Sequence, residues 1–282
     1  MKKYIYGALV AFGLTACANN NATISKEHTM QTKKEQVVEL LNSIQSGEGK
    51  PVGYINQNKY IQHNLAVKDG LSGFRELMQQ LPKNSAKVEV IRAFEDGDFV
   101  FTQTKYNFFG PKAGFDVFRF EEGKIVEHWD NLQEIVEKTA SGRTQFDGTL
   151  EITDREKTQT NKQLVSNFVQ DVLMEKNPDK ITDYISTQTY LQHNPAVKDG
   201  LSGLGEALEG LAKAGMPMVF DKNHMILGEG NFVLAVSEGT FMKKHVAFYD
   251  LFRIQNEKIV EHWDTIEAIP NKSQWKNSNG KF

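Results

Sequence analysis

The sequence predicts two tandem α+β domains, each with N-terminal helices packed on a curved antiparallel sheet. Three observations carry that reading. Residues 60–73 (YIQHNLAVKDGLSG) return as residues 190–203 (YLQHNPAVKDGLSG), with twelve of fourteen positions identical. The heptapeptide KIVEHWD at 124–130 returns unchanged at 258–264. Each copy also passes from helical apolar spacing to alternating segments rich in β-branched and aromatic residues. The offset between copies is 130 residues at the first motif and 134 at the second. Solenoid repeats run to about 50 residues, so an offset this long marks a duplicated domain.

Ahead of the repeats, Lys2 and Lys3 precede an apolar stretch from residue 4 to 16. That stretch is shorter than the roughly 20 residues a membrane-spanning helix needs, and it suits an export signal. It ends Leu14-Thr15-Ala16-Cys17, and Cys17 is the chain's one cysteine. The pattern resembles the bacterial lipobox, in which the cysteine is lipidated and becomes the mature N-terminus. The alternative is an ordinary secretory signal with a chance cysteine. By resemblance to envelope lipoproteins, the expected location is the outer membrane, facing the periplasm, since no aspartate follows Cys17. Residues 17–32 are polar and Asn-rich, as a flexible tether would be. The expected organisation is then 1–16 signal, 17–32 tether, 33–146 first domain, 147–160 linker and 161–282 second domain.

Each domain opens on a helix. Thr32 with Glu35, and Thr160 with Gln163, have capping-box spacing. Val37, Leu40, Leu41 and Ile44 form one apolar stripe, and Leu164, Val165, Phe168 and Val172 form the other. A short second helix is expected to run into each Gln-His-Asn segment, and a third helix to follow each Asp-Gly turn. Strands are predicted at 87–93, 99–106, 115–120 and 124–132, with Glu121-Glu122-Gly123 as a three-residue hairpin loop.

Strand alternation places Val126, His128 and Asp130 on one face, and Ile125, Glu127 and Trp129 on the other. A three-residue loop would set Asp116 opposite His128, whereas a two-residue loop would slip the register and bring Arg119 to that face. The first face would carry Asp116, Phe118, Val126, His128 and Asp130, answered by Asp250, Phe252, Val260, His262 and Asp264. An imidazole beside a carboxylate suits proton transfer near neutral pH. The pattern His-x-Asp on a strand is also common as a purely structural pair. His63 with Asn64, and His193 with Asn194, are expected at each cavity mouth. His63, His128 and Asp130 would be an acceptable metal-ligand set. However, the histidines lie far apart in sequence and no HExxH is present, so no metal is assigned and no cofactor is expected.

The run Y-[IL]-Q-H-N-[LP]-x-x-x-D-G-x-x-G, then D-x-F-R and G-K-I-V-E-H-W-D, resembles the SnoaL-like group of the nuclear transport factor 2-like superfamily. The likeness covers about residues 33–146 and 161–282, including the endings SGRTQF and NGKF. It implies cone-shaped domains in which a carboxylate inside the cone relays a proton next to a carbonyl or activates a water. Asp130 and Asp264 match that position, with His128 and His262 sharing the proton and His63, Asn64, His193 and Asn194 lining the mouth. The first copy departs from the group at Leu65, where proline is usual, while the second keeps Pro195. If one domain is active, the second is expected to be. Domains of this superfamily pair sheet to sheet, so Ile125, Trp129, Ile259 and Trp263 would meet in an intrachain pseudo-dimer. The alternative is that each tryptophan is covered by its own domain's terminal segment.

The charge balance, 33 Lys+Arg against 36 Asp+Glu, argues against nucleic-acid binding. Three functions fit: an enzyme of aldol, cyclase or isomerase type acting on a small carbonyl compound; a lipid-tethered binder of a small apolar ligand; and an envelope protein using its faces for assembly. The polar groups on the pocket face favour the first over the third, and leave the first and second open.

Overall fold

The computed structural model describes Met1, residues 31–81 and residues 85–282. The rest of the 1–16 signal, Cys17 and most of the 17–32 tether lie outside the described residues. Among the described residues no helix is long and apolar enough to cross a membrane.

The first domain runs α1 (Lys33–Ser46), a 3-10 turn (Lys50–Tyr54), β1 (Ile61–Gln62), α2 (Gly70–Gln80), β2 (Lys87–Asp96), β3 (Phe99–Asn107), β4 (Pro111–Glu121) and β5 (Lys124–Glu134). The second runs α3 (Thr158–Phe168), α4 (Ile181–Tyr184), β6 (Leu191–Gln192), α5 (Gly200–Lys213), β7 (Val219–Glu229), β8 (Phe232–Phe241), β9 (Lys244–Gln255) and β10 (Lys258–Ala268). The sheets have matching orders, β1-β5-β4-β3-β2 and β6-β10-β9-β8-β7. Both are antiparallel meanders except for the two-residue β1 and β6, which pair parallel with β5 and β10. Those two strands are too short to leave a periodic signal in the sequence.

Helix α1 starts as its spacing predicts. Thr32 accepts from the Glu35 N–H, and the Glu35 carboxylate accepts from the Thr32 N–H. The second capping box does not form: α3 begins two residues before Thr160, which lies inside the helix. The Thr158 hydroxyl instead accepts from the Gly230 N–H and donates to the Arg155 carbonyl, which draws the first turn forward. At α2 and α5 the Asp-Gly pairs serve the sheet. Asp69 and Asp199 accept from the backbone N–H of Gln62 and Gln192. Gly70 and Gly200 take left-handed φ values of 72° and 77°, open to glycine without a Cβ penalty.

The β4–β5 hairpin corrects the predicted register. Glu121 pairs with Lys124, leaving a two-residue turn of Glu122 and Gly123, both at positive φ, and Asp116 lies opposite Asp130 rather than His128. A bulge between Arg119 and Phe120 absorbs the slip, because an extra residue on one strand restores the alternation beyond it. Asp116, Phe118, His128 and Asp130 therefore still share the inner face, while Arg119 points outward to Glu127. Before the bulge the phase is reversed, so Ile125 and Ile259 pack inside their own domains rather than on the outer faces. The second copy repeats this with a turn of Asn256 and Glu257 and a bulge after Ile259.

The outer faces meet. Phe94, Phe101, Phe115, Val117 and Trp129 of the first sheet form one buried cluster with Leu234, Val236, Tyr249, Leu251 and Trp263 of the second. Reciprocal hydrogen bonds flank the seam. The Ile266 N–H donates to Gln133 at 2.7 Å, and the Leu132 N–H donates to Glu267 at 3.2 Å. Asn131 Nδ2 donates to the Thr265 carbonyl and hydroxyl.

Terminal segments cross this seam in both directions. Residues following β5 dock on the second domain: the Ala140 N–H donates to Pro195, the Ser141 hydroxyl to Gln192, and the Thr144 carbonyl faces His193 Nδ1 at 2.8 Å. Residues following β10 dock on the first: Asn279 donates to Gln62 and Asp69, and the Gly280 carbonyl faces His63 Nδ1 at 2.9 Å. The tail that ends each copy is thus docked as an arm on the opposite domain.

Candidate active site

Inside each sheet four of the five expected inner-face positions line an apolar cavity, while Val126 and Val260 sit at the bulges and do not. In the second domain Phe168, Leu204, Leu208, Phe220 and Phe248 wall it, and Gln192, Asn194, Asp250, His262 and Asp264 supply the polar groups. The first-domain cavity matches it with Leu40, Phe74, Leu77 and Phe118 around Gln62, Asn64, Asp116, His128 and Asp130. The cavity volumes are about 140 Å³ in the second domain and 280 Å³ in the first.

Most of the residues predicted for the site converge there. His262 Nε2 lies 3.0 Å from Asp250 Oδ1 and its Nδ1 lies 3.2 Å from Gln192 Oε1. Asn194 donates to Asp264 Oδ2 at 2.6 Å. In the first domain His128 faces Asp116 at 3.2 Å and Gln62 at 3.1 Å, and Asn64 donates to Asp130 at 2.5 Å. Phe252 and Phe118 stack on the two imidazoles. Gln62 and Gln192 turn into the cavities from the Gln-His-Asn segments because β1 and β6 pair beside the histidine strands.

His63 and His193 do not line the mouths. Within a strand, neighbours point to opposite faces, so Gln62 turns inward and His63 outward. His63 stacks on Trp129 at 4.7 Å and meets Glu127 at 2.9 Å; His193 does the same with Trp263 and Glu261. Both histidines are interface groups.

Burial is the largest influence on Asp264, and with the charge of Asp250 it pushes the carboxyl up to about 6, against the pull of His262 and the Asn194 hydrogen bond. Burial opposes charge on His262, but the hydrogen bond to Asp250 and the charges of Asp264 and Asp250 outweigh it and raise the imidazole. A carboxyl raised to about 6 beside an imidazole raised above its ordinary value has the makings of an acid/base couple. Asp250 Oδ2 and Asp264 Oδ1 are buried with no hydrogen-bond partner among the described residues.

The donor atoms of Asp250, His262 and Asp264 lie within 4.8 Å of one another, as do those of Asp116, His128 and Asp130. In both clusters the two imidazole nitrogens face oxygen acceptors, so no nitrogen lone pair points between the carboxylates. Such a ring would have to give up one of these contacts to coordinate a cation. The set the sequence offered, with His63, is not assembled.

No family model and no curated protein matches the chain. Solved structures with a similar fold include a nuclear transport factor 2-like protein of unknown function from Cytophaga hutchinsonii, 17% identical over 38% of this chain and 94% of that one, with a TM-score of 0.33. A candidate polyketide cyclase from Acidithiobacillus ferrooxidans is 17% identical over 38% of this chain and 87% of its own, with a TM-score of 0.31. A candidate ketosteroid isomerase from Kribbella flavida is 10% identical over 42% and 89%, with a TM-score of 0.32. The architecture, helices followed by an antiparallel meander in each of two copies, is the one the sequence resemblance implies.

Proposed function

We propose that the second domain catalyses proton transfer on a small carbonyl compound. The observation that carries this is Asp264, a buried carboxyl with one open oxygen in an apolar cavity, poised near neutral pH beside a protonatable imidazole. Asp264 would remove the proton next to the carbonyl, and the carbonyl oxygen would receive one, giving the enol. The proton that Asp264 takes is the one it returns to the carbonyl oxygen, and His262, which contacts Asp250 and Gln192, is a positioning group. A placed acid or base contributes roughly 10²–10⁴-fold. Asp130 and His128 stand at the corresponding positions of the first domain.

The export signal and tether expected from the sequence complete the proposal: lipidation at Cys17 would hold the pair of domains at the envelope. Ligand retained through purification and identified by mass spectrometry gives the substrate to assay. Asp264→Asn and His262→Ala should then each reduce turnover, and unchanged turnover in both would reject the enzyme reading. Ligand capture without chemistry is the second reading, favoured for the first domain by the internal partners that already occupy its Asp116.

A further inference from the structure

The two cavities differ at the carboxylate on the β4 and β9 strands. In the first domain both oxygens of Asp116 have partners. Oδ1 faces His128, and Oδ2 accepts from the Tyr106 hydroxyl at 2.7 Å and lies 3.4 Å from the Thr102 hydroxyl. In the second domain Asp250 Oδ1 faces His262, but Oδ2 has no partner among the described residues.

Register explains the difference. Thr102 is the cross-strand neighbour of Asp116, and Ala235 is the neighbour of Asp250. Four residues further along, Tyr106 is replaced by Gly239. The ring is compensated: Tyr106 packs against Gly114, whereas in the second domain Phe248 stands at the Gly114 position and stacks on Phe220 at 4.2 Å. Exchange of Tyr106–Gly114 for Gly239–Phe248 keeps aromatic bulk and deletes the hydroxyl. Ala235 deletes the second one. The other open carboxylate oxygens differ too: Asp130 Oδ1 has the Lys281 ammonium 3.8 Å away, while Gln145 holds the matching place in the other arm.

We propose that Tyr106 is an internal stand-in for a ligand hydroxyl, and that the second cavity binds an apolar molecule whose own hydroxyl donates to Asp250 Oδ2. A buried carboxylate oxygen without a donor carries a large desolvation penalty, which a ligand hydroxyl relieves and a hydrocarbon does not. A dry cavity near 150 Å³ holds a benzene-sized molecule, so a cavity of about 140 Å³ suits one aromatic ring with a short polar substituent. The inference rests on the second cavity being a ligand site; it does not require turnover there.

The test is binding of benzyl alcohol against toluene to the full-length chain, followed by methyl NMR at Leu204 and Leu208 for the second cavity and at Leu40 and Leu77 for the first. Benzyl alcohol should bind the second cavity at least tenfold tighter than toluene. Ala235→Thr, which restores the internal donor, should weaken benzyl alcohol about tenfold and leave the toluene affinity within twofold of Ala235→Val, the variant of equal bulk without a hydroxyl. Thr102→Ala with Tyr106→Phe should bring the first-cavity methyl groups into the response. Equal affinity for the two probes, or equal losses in the Thr and Val variants, would overturn the proposal. Because the readout is binding, an inactive protein that discriminates the alcohol would reject the catalytic reading and keep this one.

Discussion

His63 Nδ1 lies 2.9 Å from the carbonyl oxygen of Gly280, a residue more than two hundred positions away and in the other copy of the repeat. A ring nitrogen facing a carbonyl donates to it, so the histidine of the first domain clamps the arm of the second. His193 and Thr144 repeat the arrangement in reverse. Each cavity wall is therefore backed by a segment from the opposite domain.

Deleting residues 276–282 should destabilise the first domain more than the second. The deletion removes seven hydrogen bonds to the first domain: two from Asn277, two from Asn279, one from the Lys276 N–H to Leu65, one from Lys281 to the Asp130 carbonyl and the one between His63 and Gly280. At about 1 kcal/mol per bond, the loss is on the order of 7 kcal/mol. Hydrogen exchange checks it: β5 amides should lose more protection than β10 amides.

Lys281 and Glu267 form an ion pair beside the first cavity, and the repeat-equivalent positions are Gln145 and Gln133, which accept from the backbone N–H groups of Val136 and Ile266. Removing one member of a buried pair leaves an uncompensated charge. Lys281→Met should cost about 3 kcal/mol in urea unfolding. Lys281→Gln combined with Glu267→Gln copies the amide pair and should recover all but about 1 kcal/mol.

Asp264 gives stability a pH dependence of known sign. Its carboxyl rises on folding from 3.8 to about 6. A group raised on folding contributes stability that is complete below its unfolded value and lost as the pH passes its folded one. That contribution is on the order of 3 kcal/mol. Asparagine does not titrate, so Asp264→Asn should gain about that much relative to the parent between pH 4 and pH 7.5, measured by urea midpoints at each pH.

Much of this was legible in the sequence. The exact repeats show the duplication, and period-two alternation places Asp116, His128 and Asp130 on one face even though the hairpin loop is two residues rather than three. The bulge after Arg119 cancels that error for the site but not for Ile125, whose phase it leaves reversed. Alternation would also have turned His63 away from Gln62, but β1 is two residues long and offers no pattern to read. The docked arms are polar, with their partners 49 or more positions distant, and only the assembled seam shows what they bind. Thr102 and Tyr106 against Ala235 and Gly239 stand in plain view, yet their meaning depends on strand register.

The account turns on Asp264 as the proton acceptor. The direct measurement is the rate of solvent-deuterium uptake next to the carbonyl of the ligand that copurifies with the chain, compared among the parent, Asp264→Asn and Asp130→Asn. The account predicts a loss of at least 10²-fold in Asp264→Asn and a change within threefold in Asp130→Asn. Uptake undiminished in Asp264→Asn would contradict it.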